Sequence, residues 1–372
     1  MAGGTATRLL MSAETQVAGV EDEAEIRALL RRSVIDGQIR LAFTREPAYH
    51  AGEGLAGSID TTAVARYNGQ VCAMGRCSVQ PLIRNGVPTL VGYLGELRTD
   101  PAVPSAPRIL RNGYQLLAEQ GVGAGAEGFV TSIARDNNRA RRVLEHGGRL
   151  GLPRYRPLAD LVTLLIPSTR GTSCDTPTRA PAGAAVDELT AWFATQSAQR
   201  QLSLAWGAHS WPTLAAHHVS LEDVCVVHER GRIVAGALVW DARAFRQTRV
   251  MGYTRALATV RPVLNAFAAL TGMPILPPPG AVLAQGTLLA TSAASPSAWR
   301  TLLPLVRARA AAKGLDMVAL TLDERDPAAA LITSLLRTRI YRTTLYEVTF
   351  ADFPGFADPW NAQHFRPEAG LL

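Results

Sequence analysis

The sequence predicts an α+β protein in which one plan of strands and helices occurs twice. Three observations carry this. Two Asn-Gly pairs, Asn68-Gly69 and Asn85-Gly86, divide an apolar stretch into an antiparallel meander. A strand–helix–strand–helix–strand run follows, which requires a parallel crossover at its centre. A stretch rich in Ser, Thr, Pro and Gly over 168–183 then precedes a second set of elements in the same order.

In chain order, Asp22 reads as the N-cap of EAEIRALLRRSVI, whose Ile26, Leu29, Leu30 and Ile35 fall on one helical face. TREPAYHAGEG (44–54) is polar and irregular. TTAVARY, QVCAMGRCSVQPLIR and VPTLVGYLGELRT are the meander strands. A helix over about 108–120 ends near Gly121. GFVTSIA (128–134) is a strand, NNRARRVLEH a short helix, and DLVTLLIP (160–167) a strand. In the second half VDELTAWFATQSAQ is helical, and DVCVVHE and RIVAGALVWD form a hairpin about Arg230-Gly231. GAVLAQGTLLATS and LDMVALTLD are strands flanking the helix SPSAWRTLLPLVRARAAAK. Pro327 opens another helix, and IYRTTLYEVTF is the closing strand. An apolar, helical insertion (252–280) reads as a core piece, a dimer contact or the roof of a pocket. The expected division is a disordered leader 1–20, a first domain 21–167, a linker 168–184, a second domain 185–352 and a tail 353–372.

With 47% apolar and 19% charged residues the chain has the balance of a globular protein, which excludes intrinsic disorder. No apolar run approaches the roughly 18 residues needed to span a bilayer, so no membrane is expected. Cys72, Cys77, Cys174 and Cys225 form no CxxC pair and have no His at metal-ligand spacing. Free thiols in a reducing cytoplasm follow, with no metal site. The net charge of +7 is almost entirely arginine, since Lys313 is the only lysine. The arginines are dispersed, which suits coding bias, but an anionic partner such as CoA phosphates or RNA is the alternative.

GELRTDP (95–101), the helix after it, and FVTSIARDNNRARRVLEHGG (129–148) resemble the GNAT superfamily of acyl-CoA-dependent N-acyltransferases. The likeness spans about 22–167 and more faintly 185–350. It implies two tandem GNAT-like domains, each a mixed, mostly antiparallel sheet with helices on both faces. LPRYRPL and WDARAFRQT look like signatures of a bacterial subgroup. The implied activity is transfer of an acyl group from acyl-CoA, acetyl-CoA or longer, to the amine of a small molecule, by a monomer or homodimer. In the family the residues matching Leu97 and Thr99 present backbone groups to the donor, and Asn137 and Ala140 match its Asn and following Ala. Two departures stand out. The family's glycine-bearing pyrophosphate loop is replaced by PAVPSAPR, and the place of its Tyr general acid is held by Leu144.

The residues suggest how the chemistry is served. Prolines lack an N–H, so Pro104 and Pro107 weaken a backbone cradle, and Arg108 and Arg111 are the candidate replacements at the helix start. Strand alternation puts Leu94, Glu96 and Arg98 on one face and Gly95, Leu97 and Thr99 on the other; Glu96 is the candidate general base, and the alternative is an ion pair. Asn137 either caps the next helix or also approaches the donor. Arg45 and Tyr49 are candidate contacts to a carboxylated or aromatic acceptor, with Arg98 beside them. His50, His217 and His218 show no triad or metal spacing. Two other readings stay open: an aminoacyl-tRNA-dependent Fem-type transferase, which would bind tRNA, and a non-catalytic acyl-CoA-binding scaffold.

Overall fold

The computed structural model describes residues 14–100, 106–145, 147–169, 183–271, 275–336, 338–368 and 370. The proline turn at 101–105, most of the expected linker (170–182) and the first 13 residues of the expected leader lie outside the described residues.

The meander forms as its turns dictate. β3 (Ile59–Tyr67), β4 (Gln70–Arg84) and β5 (Val87–Thr99) are joined by Asn68-Gly69 and Asn85-Gly86, all four at positive φ. This is the type I′ geometry that matches strand twist. Before them come β1 (Glu14–Val17), α1 (Glu23–Arg32) and β2 (Ile39–Thr44). The segment expected to be a leader thus supplies a strand, β1, which pairs with β3. Asp22 does not cap α1 through its side chain; it accepts from the Gly19 N–H and holds Arg66. α2 (Ala106–Gly123) crosses from β5 to the parallel β6 (Gly128–Ala134), followed by α3 (Asn138–Glu145) and β7 (Arg154–Pro167).

The second half follows with α4 (Gly183–Ser197), α5 (Ser210–Ala215), and the hairpin β8 (Val224–Glu229) and β9 (Arg232–Trp240), which turns on Arg230-Gly231 at positive φ. β10 (Gln247–Tyr253) and α6 (Arg255–Thr271) form the insertion. Then β11 (Gln285–Ala293), α7 (Pro296–Ala312) and β12 (Met317–Asp323) repeat the parallel crossover, and α8 (Pro327–Leu335) leads to β13 (Arg339–Thr349). α7 and α8 both begin with Pro and are capped by the side chains of Ser295 and Asp326.

The two halves share one eleven-stranded sheet, in the order β1-β3-β4-β5-β6-β13-β7-β12-β11-β9-β8. They exchange closing strands. β13 pairs with β6, while β7 pairs through Leu161–Pro167 with all of β12. The sheet therefore runs unbroken past residue 168. Helices cover both faces. On β9, Ala235, Ala237 and Val239 pack with Trp299 and Leu302 of α7, while Leu238 and Trp240 pack with Leu189 and Phe193 of α4. On β5, Leu94 packs under Leu117 of α2, while Val91 and Tyr93 face the other way. β2 and β10, one strand from each half and neither foreseen in the sequence, form a separate two-stranded ribbon. The insertion helix α6 is not a core piece: Val263 and Leu270 are 72% and 87% exposed. The expected tail docks instead of trailing, with Phe365, Arg366 and Glu368 buried. Cys72, Cys77 and Cys225 are buried, and none of them is in a disulfide among the described residues. Among the described residues no helix is long and apolar enough to cross a membrane.

Candidate functional site

β5 and β6 are paired only where Val91–Tyr93 meet Gly128–Val130. Beyond that point they part, with Thr131 Oγ1 donating across to the Leu94 carbonyl at 2.6 Å. A bulge lies at the same level. The pairing of β5 with β4 slips between Arg76–Gly95 and Met74–Arg98, and Glu96 sits at φ +52°. The extra residue resets the alternation. Leu94 faces α2, whereas Glu96 and Arg98 face the opposite side with Tyr93. The simple alternation that groups Leu94 with Glu96 is corrected by this bulge.

Glu96 and Arg98 open onto a cavity of about 460 Å³ where the halves meet. Tyr93 and Ser132 form part of its floor and bond to each other at 2.8 Å, as do Thr163 and Thr321. The β2/β10 ribbon provides a roof through Thr44, Arg45, Gln247 and Thr248. Gln247 fastens it, accepting from the Thr44 hydroxyl at 3.1 Å and donating to the Glu46 and Arg243 carbonyls at 2.8 Å. One wall is the stretch 240–248, from which Trp240, Arg243 and Arg246 face the cavity.

Glu96 is the electrostatic centre. Arg45 donates from Nε to its Oε1 at 2.7 Å, and Tyr49 donates to its Oε2 at 3.0 Å. Burial alone would raise the carboxyl, but Arg45, Arg76 and Arg246 together hold it at about 2. Arg76, behind Glu96, is paired with Asp60 at 2.8 Å. Burial, reinforced by Arg45 and Arg76, pulls the Arg246 guanidinium down to about 9. Burial also lowers Arg98.

Arg45, Glu96 and Arg98 thus converge, as the sequence suggests. Tyr49 does not line the cavity: it is wholly buried behind Glu96, between that carboxylate and the Thr62 hydroxyl. It is a support, not a wall residue. Leu97 and Thr99 lie on the parted stretch of β5, and the Leu97 carbonyl accepts from Arg98 Nη1 at 2.9 Å. Asn137 caps α3, its Oδ1 accepting from the Ala140 N–H at 3.1 Å. Arg108 is exposed in the first turn of α2, and Arg111 is exposed one turn on, beside Gly151. Neither lines the cavity. Arg243 and Arg246 went unassigned in the sequence although they stand in the quoted WDARAFRQT. Their signal was two arginines three apart beside aromatic residues, with nothing local to say what they would face.

The second half repeats the parted strands. β11 and β12 pair only over Gln285–Thr287 and Met317–Ala319, and Ala290 occupies a bulge at φ +48°. Here the opening contains the chain's own tail. Phe365 accepts from the Asp323 N–H at 3.0 Å and donates its own N–H to the Asp323 carboxylate at 3.3 Å, Glu368 accepts from the Ala290 N–H at 3.0 Å, and Arg366 reaches the Thr291 carbonyl.

Neither a protein family nor a curated protein matches the chain. Solved structures do. A GCN5-related glucosamine N-acetyltransferase region of a fungal multi-domain GH3 β-N-acetylglucosaminidase superposes with a TM-score of 0.50 at 12% identity, covering 91% of this chain and 38% of that one. A tandem GNAT protein from the clavulanic acid biosynthesis pathway gives 0.49 at 10% identity, covering 91% and 98%. A GCN5-related N-acetyltransferase of Anabaena variabilis gives 0.46 at 10%, covering 90% and 72%. The fold is that of the GCN5-related N-acetyltransferases, with its parallel crossover built twice in this chain. At such identities the likeness extends to the fold and no further. In the GNAT fold seen here, the first half has its parted strands opening onto a charged cavity, and the second has them bridged by the C-terminal segment. Among the described residues no group of His, Cys, Asp and Glu is placed to hold a metal ion.

Proposed function

We propose that the first half is an N-acyltransferase site that moves an acyl group from acyl-CoA to an amine of a small molecule, and that the second half serves as its structural partner. The observation that carries this is the parting of β5 from β6 beside the Glu96 bulge, at the edge of a ligand-sized cavity. Leu94–Thr99 have no strand partner on the β6 side, so Leu97 and Thr99 are suited to offer backbone groups to a pantetheine arm. Arg108, exposed at the start of α2, is suited to the donor's phosphates, with Arg111 one turn on and Asn137 at the head of α3.

Acyl-CoA brings an activated thioester. The chain's task is to exclude water, hold the amine in line and accept the developing charge. Glu96, held near 2 and already accepting from Arg45 and Tyr49, is a weak proton acceptor. We therefore assign it the positioning of Arg45 and its neighbours, and the amine's proton passes to water. The N–C bond forms as the C–S bond breaks, and the departing thiolate needs no general acid, in keeping with Leu144 being buried in the α2–α3 core.

Calorimetry with acetyl-CoA and longer acyl-CoAs, beside a bulk-tRNA shift assay, tests the reading. Acyl-CoA binding that weakens in R108E, with the folded state intact, is expected. Binding of tRNA with a steep loss of affinity in salt, and none of acyl-CoA, would overturn it in favour of a Fem-type transferase.

A further inference from the structure

The cavity carries more positive charge than its own carboxylates answer. Arg45, Arg76, Arg98 and Arg246 stand around or directly behind it, against Asp60 and Glu96. Arg243 is excluded from this excess, because Asp241 takes it in a two-bonded fork at 2.8 and 2.7 Å. Asp60 is committed to Arg76, and Glu96 to Arg45. Among the described residues Arg246 meets only the Gly370 carbonyl, at 2.5 Å, and its buried Nε has no hydrogen-bond partner. Arg45, only 2% exposed, likewise has an unpartnered Nη1. Among the described residues Arg98 bonds to a single backbone carbonyl. Buried cations are normally matched, and guanidinium forks take planar or tetrahedral oxyanions in pairs of bonds.

We infer that the small molecule taken into this cavity is an anion, an amine that carries a carboxylate or a phosphate group, with Arg246 and Arg98 holding that group. The inference deepens the acyltransfer reading by naming its acceptor class, and the word acceptor rests on that reading. The anion site itself rests on the charge around the cavity. The hydroxyl floor of Ser132, Thr163 and Thr321 suits the neutral polar groups of the same molecule. A long polyanion is a poor fit, since the β2/β10 ribbon roofs the space.

The test measures anion binding without any acyl donor. Wild type, R246Q and R98Q are titrated with inorganic phosphate and, separately, with the dicarboxylate glutarate, following thermal stabilisation and heat of binding. Saturable stabilisation by at least one anion at tens of millimolar or below is expected, weakened about tenfold or more in R246Q. Which anion binds distinguishes the phosphate from the carboxylate source. Without an anion, R246Q is expected to melt about 2 °C higher than wild type, because an unmatched buried charge has gone. R98Q, at a more accessible position, keeps the test open should R246Q fold poorly. Two results would overturn the inference: no saturable effect of either anion, or equal effects in wild type and both variants. Acyl-CoA affinity measured on the same R246Q protein should be unchanged. Loss of acyl-CoA binding by wild type would remove the transferase reading while leaving the anion site standing.

Discussion

Arg45 donates to Glu96 across two distant segments, with Nε 2.7 Å from Oε1 and Nη2 2.5 Å from the same oxygen. This pair ties the roof of the cavity to the bulge in β5, so it couples the position of the ribbon to that of the parted strands. Removing one partner of a buried pair strands the other. E96Q should therefore lower stability by about 3 kcal/mol in urea denaturation, and R45Q by a similar amount. The double variant should cost clearly less than the sum of the two, and simple additivity would show that the pair is not coupled.

The depressed Glu96 carboxyl fixes a pH dependence. Its folded value, about 2, lies below its ordinary 4.5, so its contribution to stability is complete above about 4.5 and is lost as pH falls towards 2. Stability of wild type should drop more steeply than that of E96Q across that window. In turnover, Glu96 should add no inflection near neutral pH. The rate should instead rise with pH as the acceptor ammonium loses its proton, and a carboxylate inflection abolished in E96Q would restore the general-base role.

Glu368 behaves in the opposite sense. Burial pushes its carboxyl up to about 7, despite the Ala290 N–H and Arg366 nearby. The folded value lies above the ordinary 4.5, so the stabilisation is fully present below 4.5 and is lost as pH rises through 7. Hydrogen exchange across 363–370 should quicken between pH 6 and 8, and E368Q should flatten that rise. Because this segment lies in the second opening, calorimetry should count one acyl-CoA per chain.

Gly92 and Gly286 occupy matching places, each at the short parallel pairing that precedes the parted strands. A methyl on Gly92 would fall 2.5 Å from the Phe129 ring, and one on Gly286 would meet the Trp240 carbonyl oxygen at 2.7 Å. A ring can shift, whereas a backbone oxygen in a central strand cannot do so cheaply. G92A should cost about 1–3 kcal/mol and G286A more, as read from denaturation midpoints.

Local chemistry made much of this legible. Asn68-Gly69, Asn85-Gly86 and Arg230-Gly231 announced their hairpins, and the order of elements announced the repeat. Glu96, Arg98 and Arg45 were selected by strand face and neighbourhood. What stayed hidden was every feature set by a distant partner. The bulge at Glu96 arises from a mismatch with β4. DLVTLLIP and IYRTTLYEVTF both read as strands, and nothing in either says which half it will complete. Tyr49 had the right residue type for a binding wall, yet packing placed it behind the carboxylate. Arg246 acquires meaning only when the halves meet.

The exchange of β7 and β13 has a consequence for synthesis in the cell. The first half leaves the ribosome with the edge of β6 bare, and the strand that covers it, Arg339–Thr349, emerges only after the other strands and helices of the second half. At roughly 5–20 residues per second that edge waits on the order of ten seconds or more, open to pairing with a neighbouring nascent chain. A ribosome stalled after residue 167 should thus hold an aggregation-prone fragment, and supplying the second half in trans should rescue it only if both pieces are present together from the start.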